Sequence, residues 1–359
     1  MIRGPMRRAL SLTLPIAALL LAASASAQES ASAQESTSAQ DIDTLRATAQ
    51  RLFGSIPPVR AEELREPIVR LGRALFWDTR LSANGRVACA SCHPAATAGA
   101  DDRRFSINAR GRPTSRNAQT VLNAQAASAG LRWVADRPSG AAQAVGSITG
   151  SMGFENAADI VPVLERSGYR DLFAAAFPND AEPVSPENYG LALQAYQQTL
   201  RTPAPFDRWL EGDDGAMTAV ELRGLERFIS IGCASCHDGP LLGGTRVARF
   251  GVTEDYRPHT GSSETDTGLM RATGRESDRD LFRVQPLRNV SRTAPYFHDG
   301  SVPDLETANR IMARVQLGRT LTDAELAELL AFERALAGEV PAHYAPPTDS
   351  PASRPPPAN

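Results

Sequence analysis

A mainly helical protein built in two halves is the fold that this sequence predicts, and three observations carry the prediction. The pentapeptide Cys-Ala-Ser-Cys-His occurs twice, at Cys89–His93 and again at Cys233–His237, and uses all four cysteines of the 359-residue chain. Apolar residues recur at helical spacing on both sides of these motifs, whereas no sustained alternation marks a strand. The two motifs begin 144 residues apart (233 minus 89), enough chain for each to have its own core.

The elements follow in order. Ile68, Leu71, Leu75 and Phe76 predict a helix ahead of the first motif. Thr218 and Glu221 form a capping-box pattern before Leu222, Leu225, Phe228 and Ile229, a helix that runs into the second motif. Beyond it, Leu305, Ala308, Ile311, Met312 and Val315 share one helical face. Thr322 and Glu325 open a last helix carrying Leu326, Leu329, Leu330 and Leu336, with its end expected at Gly338.

The ends differ in composition. Arg3, Arg7 and Arg8 precede an apolar run from Leu10 to Ala23 and the small-residue site Ala25-Ser26-Ala27, so residues 1–27 read as an export signal and the mature protein as periplasmic. The run is short for a bilayer and no other segment approaches the ~18 apolar residues of a membrane span. Residues 28–40 continue a Ser/Ala/Gln/Glu repeat that reads as a linker, and 346–359 hold six prolines in an extended tail. Between them lie two expected domains, 41–203 and 204–345, meeting near Thr202 to Pro205. All 38 basic residues are arginine against 41 acidic ones, a net charge of −3 with no basic run, which argues against a nucleic-acid partner.

A Cys-x-x-Cys-His run lets two thiols form thioethers to haem vinyl groups while the adjacent imidazole reaches the iron. Disulfides, a redox dithiol or a zinc site would account for the cysteines, but none explains a histidine directly after both pairs. Two covalent haem c groups are therefore expected, on Cys89, Cys92 and His93 and on Cys233, Cys236 and His237, with His93 and His237 as iron ligands.

Beyond these motifs, LGRALFWDTRLSANGRVACASCH (71–93), RNAQTVLNA (116–124), FGVTEDY (250–256), PLRNVSRTAPYFHDGSVPDLETA (286–308) and MARVQLG (312–318) keep an order and spacing that resemble the bacterial di-haem cytochrome c peroxidases, whose relatives include the MauG-like enzymes that oxidatively mature another protein. The resemblance covers roughly residues 45–340. It implies two cytochrome-c-like helical domains, a peroxidatic haem in the first and an electron-transfer haem in the second. Met312, fourteen residues beyond His298, matches the methionine opposite the second haem's histidine, where a thioether favours ferrous iron. His298 itself is expected to pack or hydrogen-bond near haem propionates. Trp133, ten residues before Gln143, matches the tryptophan between the haems. A calcium ion on the Asn117 side chain and the Thr293 and Pro295 carbonyls, and a homodimer, are further implications.

Two positions depart from the pattern. Ala109 stands where the family's displaceable histidine belongs, and no histidine lies between His93 and His237. Ten residues beyond Gln143, where the catalytic glutamate belongs, stands Gly153, with Ser147 at the usual distal proline. Glu155 has two readings: a proton carrier for peroxide on a remodelled loop, or a solvated residue ahead of the next helix. Met152 on the same loop is a third candidate, as a sixth ligand. The leading reading is a periplasmic peroxidase that reduces hydrogen peroxide with electrons from a small cytochrome c or cupredoxin. A MauG-like oxidase of a protein or organic substrate and a non-catalytic di-haem carrier stand beside it. The first haem is expected to be open on its distal side.

Overall fold

The computed structural model describes Met1, Gly4, residues 39–348 and Pro351. The expected export signal, nearly all of the linker and most of the proline-rich tail fall outside the described residues. Contacts divide the chain into Met1–Ala47 and Thr48–Asn359. Helix α1 (Ala39–Leu52) begins in the first unit. The second is mainly helical: α2 (Pro67–Trp77), α3 (Gly140–Thr149), α4 (Ile160–Arg166), α5 (Arg170–Ala176), α6 (Pro186–Gln198), α7 (Pro205–Leu210), α8 (Ala219–Ser230), α9 (Leu305–Leu317) and α10 (Asp323–Ala335). The one ladder among the described residues pairs β1 (Val247–Arg249) antiparallel with β2 (Leu281–Arg283), Ala248 facing Phe282.

The capping boxes form as the sequence predicts. Thr218 N donates to Glu221 Oε2 at 2.7 Å at the start of α8, and Thr322 N to Glu325 Oε2 at 2.9 Å at the start of α10. Helix α9 is capped by Asp304, which accepts from Thr307 N at 2.7 Å, and ends on Gly318 in the left-handed region. The expected stop at Gly338 is not what ends α10, which runs out at Ala335 with Leu336 still right-handed. Gly338 serves a close approach instead. A Cβ there would sit 2.3 Å from Thr202 O, and its N–H donates to Asn289 Oδ1 at 3.1 Å.

One crossing of helices is built twice. Gly72 of α2 packs so closely on α6 that a Cβ would lie 1.9 Å from Ala192 O and 2.8 Å from Tyr196 Cβ. Gly224 of α8 meets α10 in the same way, 2.1 Å from Glu328 O and 2.8 Å from Phe332 Cβ. In both pairs the glycine faces a carbonyl and, four residues on, an aromatic ring, so the backbones touch where any side chain would hold them apart. Each glycine-bearing helix precedes one of the cysteine motifs.

Asp207 and Arg288 form a bidentate pair at 2.8 Å, with side chains 2% and 1% exposed. Backbone groups complete the pair. Asp207 accepts from Ile56 N and Ala204 N, both at 2.7 Å, while Arg288 donates to Pro240 O and Gly54 O. Removing one partner of such a pair strands a buried charge. Asp207→Ala should therefore cost about 3–5 kcal/mol of unfolding free energy. Denaturant titration of the purified protein measures this, and a loss under about 1 kcal/mol would mean that water reaches Arg288.

Candidate haem-binding and active site

Both cysteine motifs close on the same local geometry. His93 N donates to Cys89 O and His237 N to Cys233 O, each at 3.0 Å, so histidine and first cysteine lie one turn apart. His93 Nδ1 lies 2.9 Å from Gly99 O, and His237 Nδ1 lies 3.0 Å from Leu242 O. A carbonyl only accepts, so Nδ1 carries the proton and Nε2 presents its lone pair, the tautomer a metal-binding imidazole needs. Burial holds both rings below the ordinary histidine range and therefore neutral. No disulfide joins the four cysteines, and burial pushes the Cys89 and Cys233 thiols up to about 12. Among the described residues no three His, Cys, Asp or Glu side chains cluster as a metal cage.

The second motif opens on a cavity of about 420 Å³, and Cys233, Cys236, His237, Met312, Trp133 and His298 all line it. The sequence-predicted ligand pair is thus brought to one space. Trp133 is pinned there by its indole N–H, which donates to Asn117 O at 2.9 Å, and by its carbonyl, which accepts from Arg283 N at 2.7 Å. Its ring meets His298 edge-on at 6.4 Å, and His298 stacks on Phe282 at 4.6 Å. Asn117, Thr293 and Pro295 line the same cavity, and the Asn117 amide donates to Arg103 O at 2.9 Å, which leaves Oδ1 as its acceptor. These donors, thiols and apolar walls fit a haem.

The surroundings of the first motif are different. Cys89 packs against a large core that includes Leu71, Leu75, Met152, Tyr189 and Tyr344. The Tyr344 hydroxyl donates to His93 O, so the end of the described chain closes onto the first motif, a contact with no signature in the sequence. The Ala109 and Met152 loops meet directly: Ala109 N donates to Ser151 O at 2.8 Å, and a Cβ on Gly153 would stand 3.0 Å from Ala109 Cβ. Met152 is 2% exposed within that core. Glu155 is not brought there. Its side chain is 88% exposed and 4.0 Å from Arg110, whose guanidinium is spent on Thr149 O and Phe154 O. Of the two readings of Glu155, this placement is that of the solvated residue. Gln143 is half-buried on α3.

The remaining histidines are held elsewhere. His259 Nε2 pairs with Glu254 at 2.7 Å and His343 Nε2 with Thr199 O at 3.0 Å. Sequence reasoning missed two groups on the wall of the cavity, Glu333 and Arg283, because neither belongs to a motif. Burial pushes the Glu333 carboxyl up to about 8, and it accepts from Asn309 Nδ2 at 2.8 Å.

Comparison with known proteins agrees with this geometry. Residues 66–215 match the family described as di-haem cytochrome c peroxidase. The chain is 37% identical to the cytochrome c551 peroxidase of Pseudomonas aeruginosa, over 83% of this chain and 88% of that one. It is 34% identical to the cytochrome c551 peroxidase of Nitrosomonas europaea (84% and 92%) and 31% identical to the methylamine utilization protein MauG of Methylophilus methylotrophus (79% and 86%). Among solved structures, a MauG-like protein associated with microbial copper homeostasis aligns with a TM-score of 0.69 at 29% identity, over 84% of this chain and 98% of that one. Two cysteine motifs, each followed by a neutral imidazole with Nε2 unprotonated, on a chain alike to these enzymes over most of its length, place it in one family: the chain belongs to the di-haem cytochrome c peroxidases.

Proposed function

We propose that this protein is a periplasmic di-haem peroxidase that reduces hydrogen peroxide with electrons from a small cytochrome c or cupredoxin. The observation that carries the proposal is that His237, Met312 and Trp133 line one cavity. Haem c on each motif would supply one-electron redox chemistry. Cys89 and Cys92, and Cys233 and Cys236, would anchor the two groups, with His93 and His237 as proximal ligands. The two-domain division at 203/204 is part of the same reading, and the doubled helix crossing supports it. Asn117 Oδ1 with the Thr293 and Pro295 carbonyls would hold calcium through hard oxygen donors.

The chain's own contributions are ligation, orientation and exclusion of water. Met312 offers a thioether to the second site, which favours the reduced state there. Trp133 cannot swing, since its indole N–H and its carbonyl are both bonded. At the first site Tyr344 fixes the backbone of His93, and Gly99 O fixes its ring. A second reading, oxidation of a protein or organic substrate, is favoured where the Ala109 and Gly153 loops meet: the ionisable side chain between them is Arg110, spent on Thr149 O and Phe154 O, while the Glu155 carboxylate that could move a peroxide proton is 88% exposed. Steady-state peroxide turnover with a reduced small cytochrome c as donor separates the two: appreciable for a peroxidase, slow for the alternative, absent from a mere carrier.

Three outcomes follow. Met312→Ala should abolish sulfur-to-iron charge-transfer absorption and lower one haem's potential, and an unchanged spectrum would remove Met312 as a ligand. Glu155→Gln should change peroxide turnover by less than about threefold, since the side chain is exposed and not brought to the core around the first motif, and a loss of about a hundredfold or more would show that the loop refolds during turnover. Electron paramagnetic resonance of the fully oxidised protein should show high-spin ferric iron at about half the haem, with immediate cyanide binding, because Ala109 offers no ligand. Two low-spin haems would instead point to Met152 leaving its core.

A further inference from the structure

Arg283 lines the cavity beside His237 with only 5% of its surface exposed. Its partners are neutral oxygens: Nη1 donates to Gly130 O at 3.0 Å and Nη2 to Gln285 Oε1 at 3.2 Å, while Nε has none. Burial lowers its pKa to about 10, with no carboxylate among the described residues to offset the cost. The cavity's own carboxyl, Glu333, is engaged with Asn309. A second unpartnered polar atom, His298 Nε2, lies on the same wall, beside Phe282. Burying a guanidinium without an anion is costly, and cavities that do so are completed by the anion that fills them.

We propose that Arg283 is the seat for a carboxylate of the group that occupies this cavity, a haem propionate, and that it positions that group against Trp133. The proposal rests on the haem reading given above. Its second half follows from the backbone: Arg283 N donates to Trp133 O, and its guanidinium holds Gly130 O on the same loop. The residue that neutralises the propionate therefore also fixes the tryptophan. A fixed cation beside the group favours its reduced form, which carries one more electron.

Redox titration of the holoprotein, followed by visible absorbance, tests this. Arg283→Gln should lower the reduction equilibrium constant of the Met312-side haem at least tenfold, 59 mV for one electron, and move the other haem less than threefold. Arg283→Lys, which keeps the charge, should restore more than half of the shift. An unchanged potential in Arg283→Gln overturns the proposal. A crystal structure of the wild-type holoprotein decides the matter even if that variant does not mature: a propionate oxygen in hydrogen-bond reach of Arg283 supports it, and propionates seated elsewhere overturn it. Failure of the haem reading itself would show separately, as a purified protein whose mass carries fewer than two covalent haems.

Discussion

The arrangement depends on one buried ion pair. Arg288 and Asp207 draw four separate stretches of chain together, at Gly54 to Ile56, Ala204 to Asp207, Pro240 and Arg288 itself. Pro240 follows His237 by three residues, and the segment after β2 continues the work: Leu287 N donates to Leu241 O and Gly244 N to Val284 O. The loop so held supplies Leu242 O, the acceptor that fixes the His237 tautomer. A ring orientation that iron chemistry requires is thus inherited from a salt bridge that never touches the site. Such a pair adds little net stability compared with apolar packing, but it leaves the segments no other register in which both charges are satisfied.

A second constraint sits at Thr202. Thr202 is fully buried, and its hydroxyl accepts from Asn123 Nδ2 at 2.8 Å and Asn289 Nδ2 at 2.9 Å. Both asparagines are left-handed, φ 59° and 63°, a conformation that asparagine tolerates better than other non-glycine residues. One lies 79 residues before Thr202 and the other 87 after it, so this stretch is bonded to two distant segments. Arg116 and Asp266, bidentate at 2.7 Å, add a link across 150 residues.

What was legible in the sequence was whatever depends on neighbours along the chain. Capping boxes, helical faces and the two cysteine motifs are local, and they form where Thr218, Thr322, Cys89 and Cys233 said they would. The end of α10 was misplaced because Gly338 answers to Thr202, 136 residues away, and not to its own helix. Met312 and Trp133 were reachable only through resemblance, as neither has a local pattern distinguishing it from core. Arg283 was invisible for the opposite reason: one arginine among 38, distinguished only by tertiary burial.

The two sites differ in a way that bears on what each can do. Around the second, polar groups converge on the cavity: Arg283 with an unspent Nε–H, His298 with an unpartnered Nε2, the Glu333 carboxyl pushed up by burial, Trp133 pinned on two sides. Such fixed dipoles and charges tune a potential and direct an electron, because they need not reorganise when the charge changes. The first motif is wrapped instead by Leu71, Leu75, Met152 and Tyr344, and Gly153 is met by the methyls of Ala83 and Ala109 and the stem of Arg110. A contact of methyl groups and an arginine stem is poor at holding a sixth ligand and poor at moving protons. The polar groups that can tune a potential thus line the cavity at His237, while the His93 motif is packed by apolar side chains.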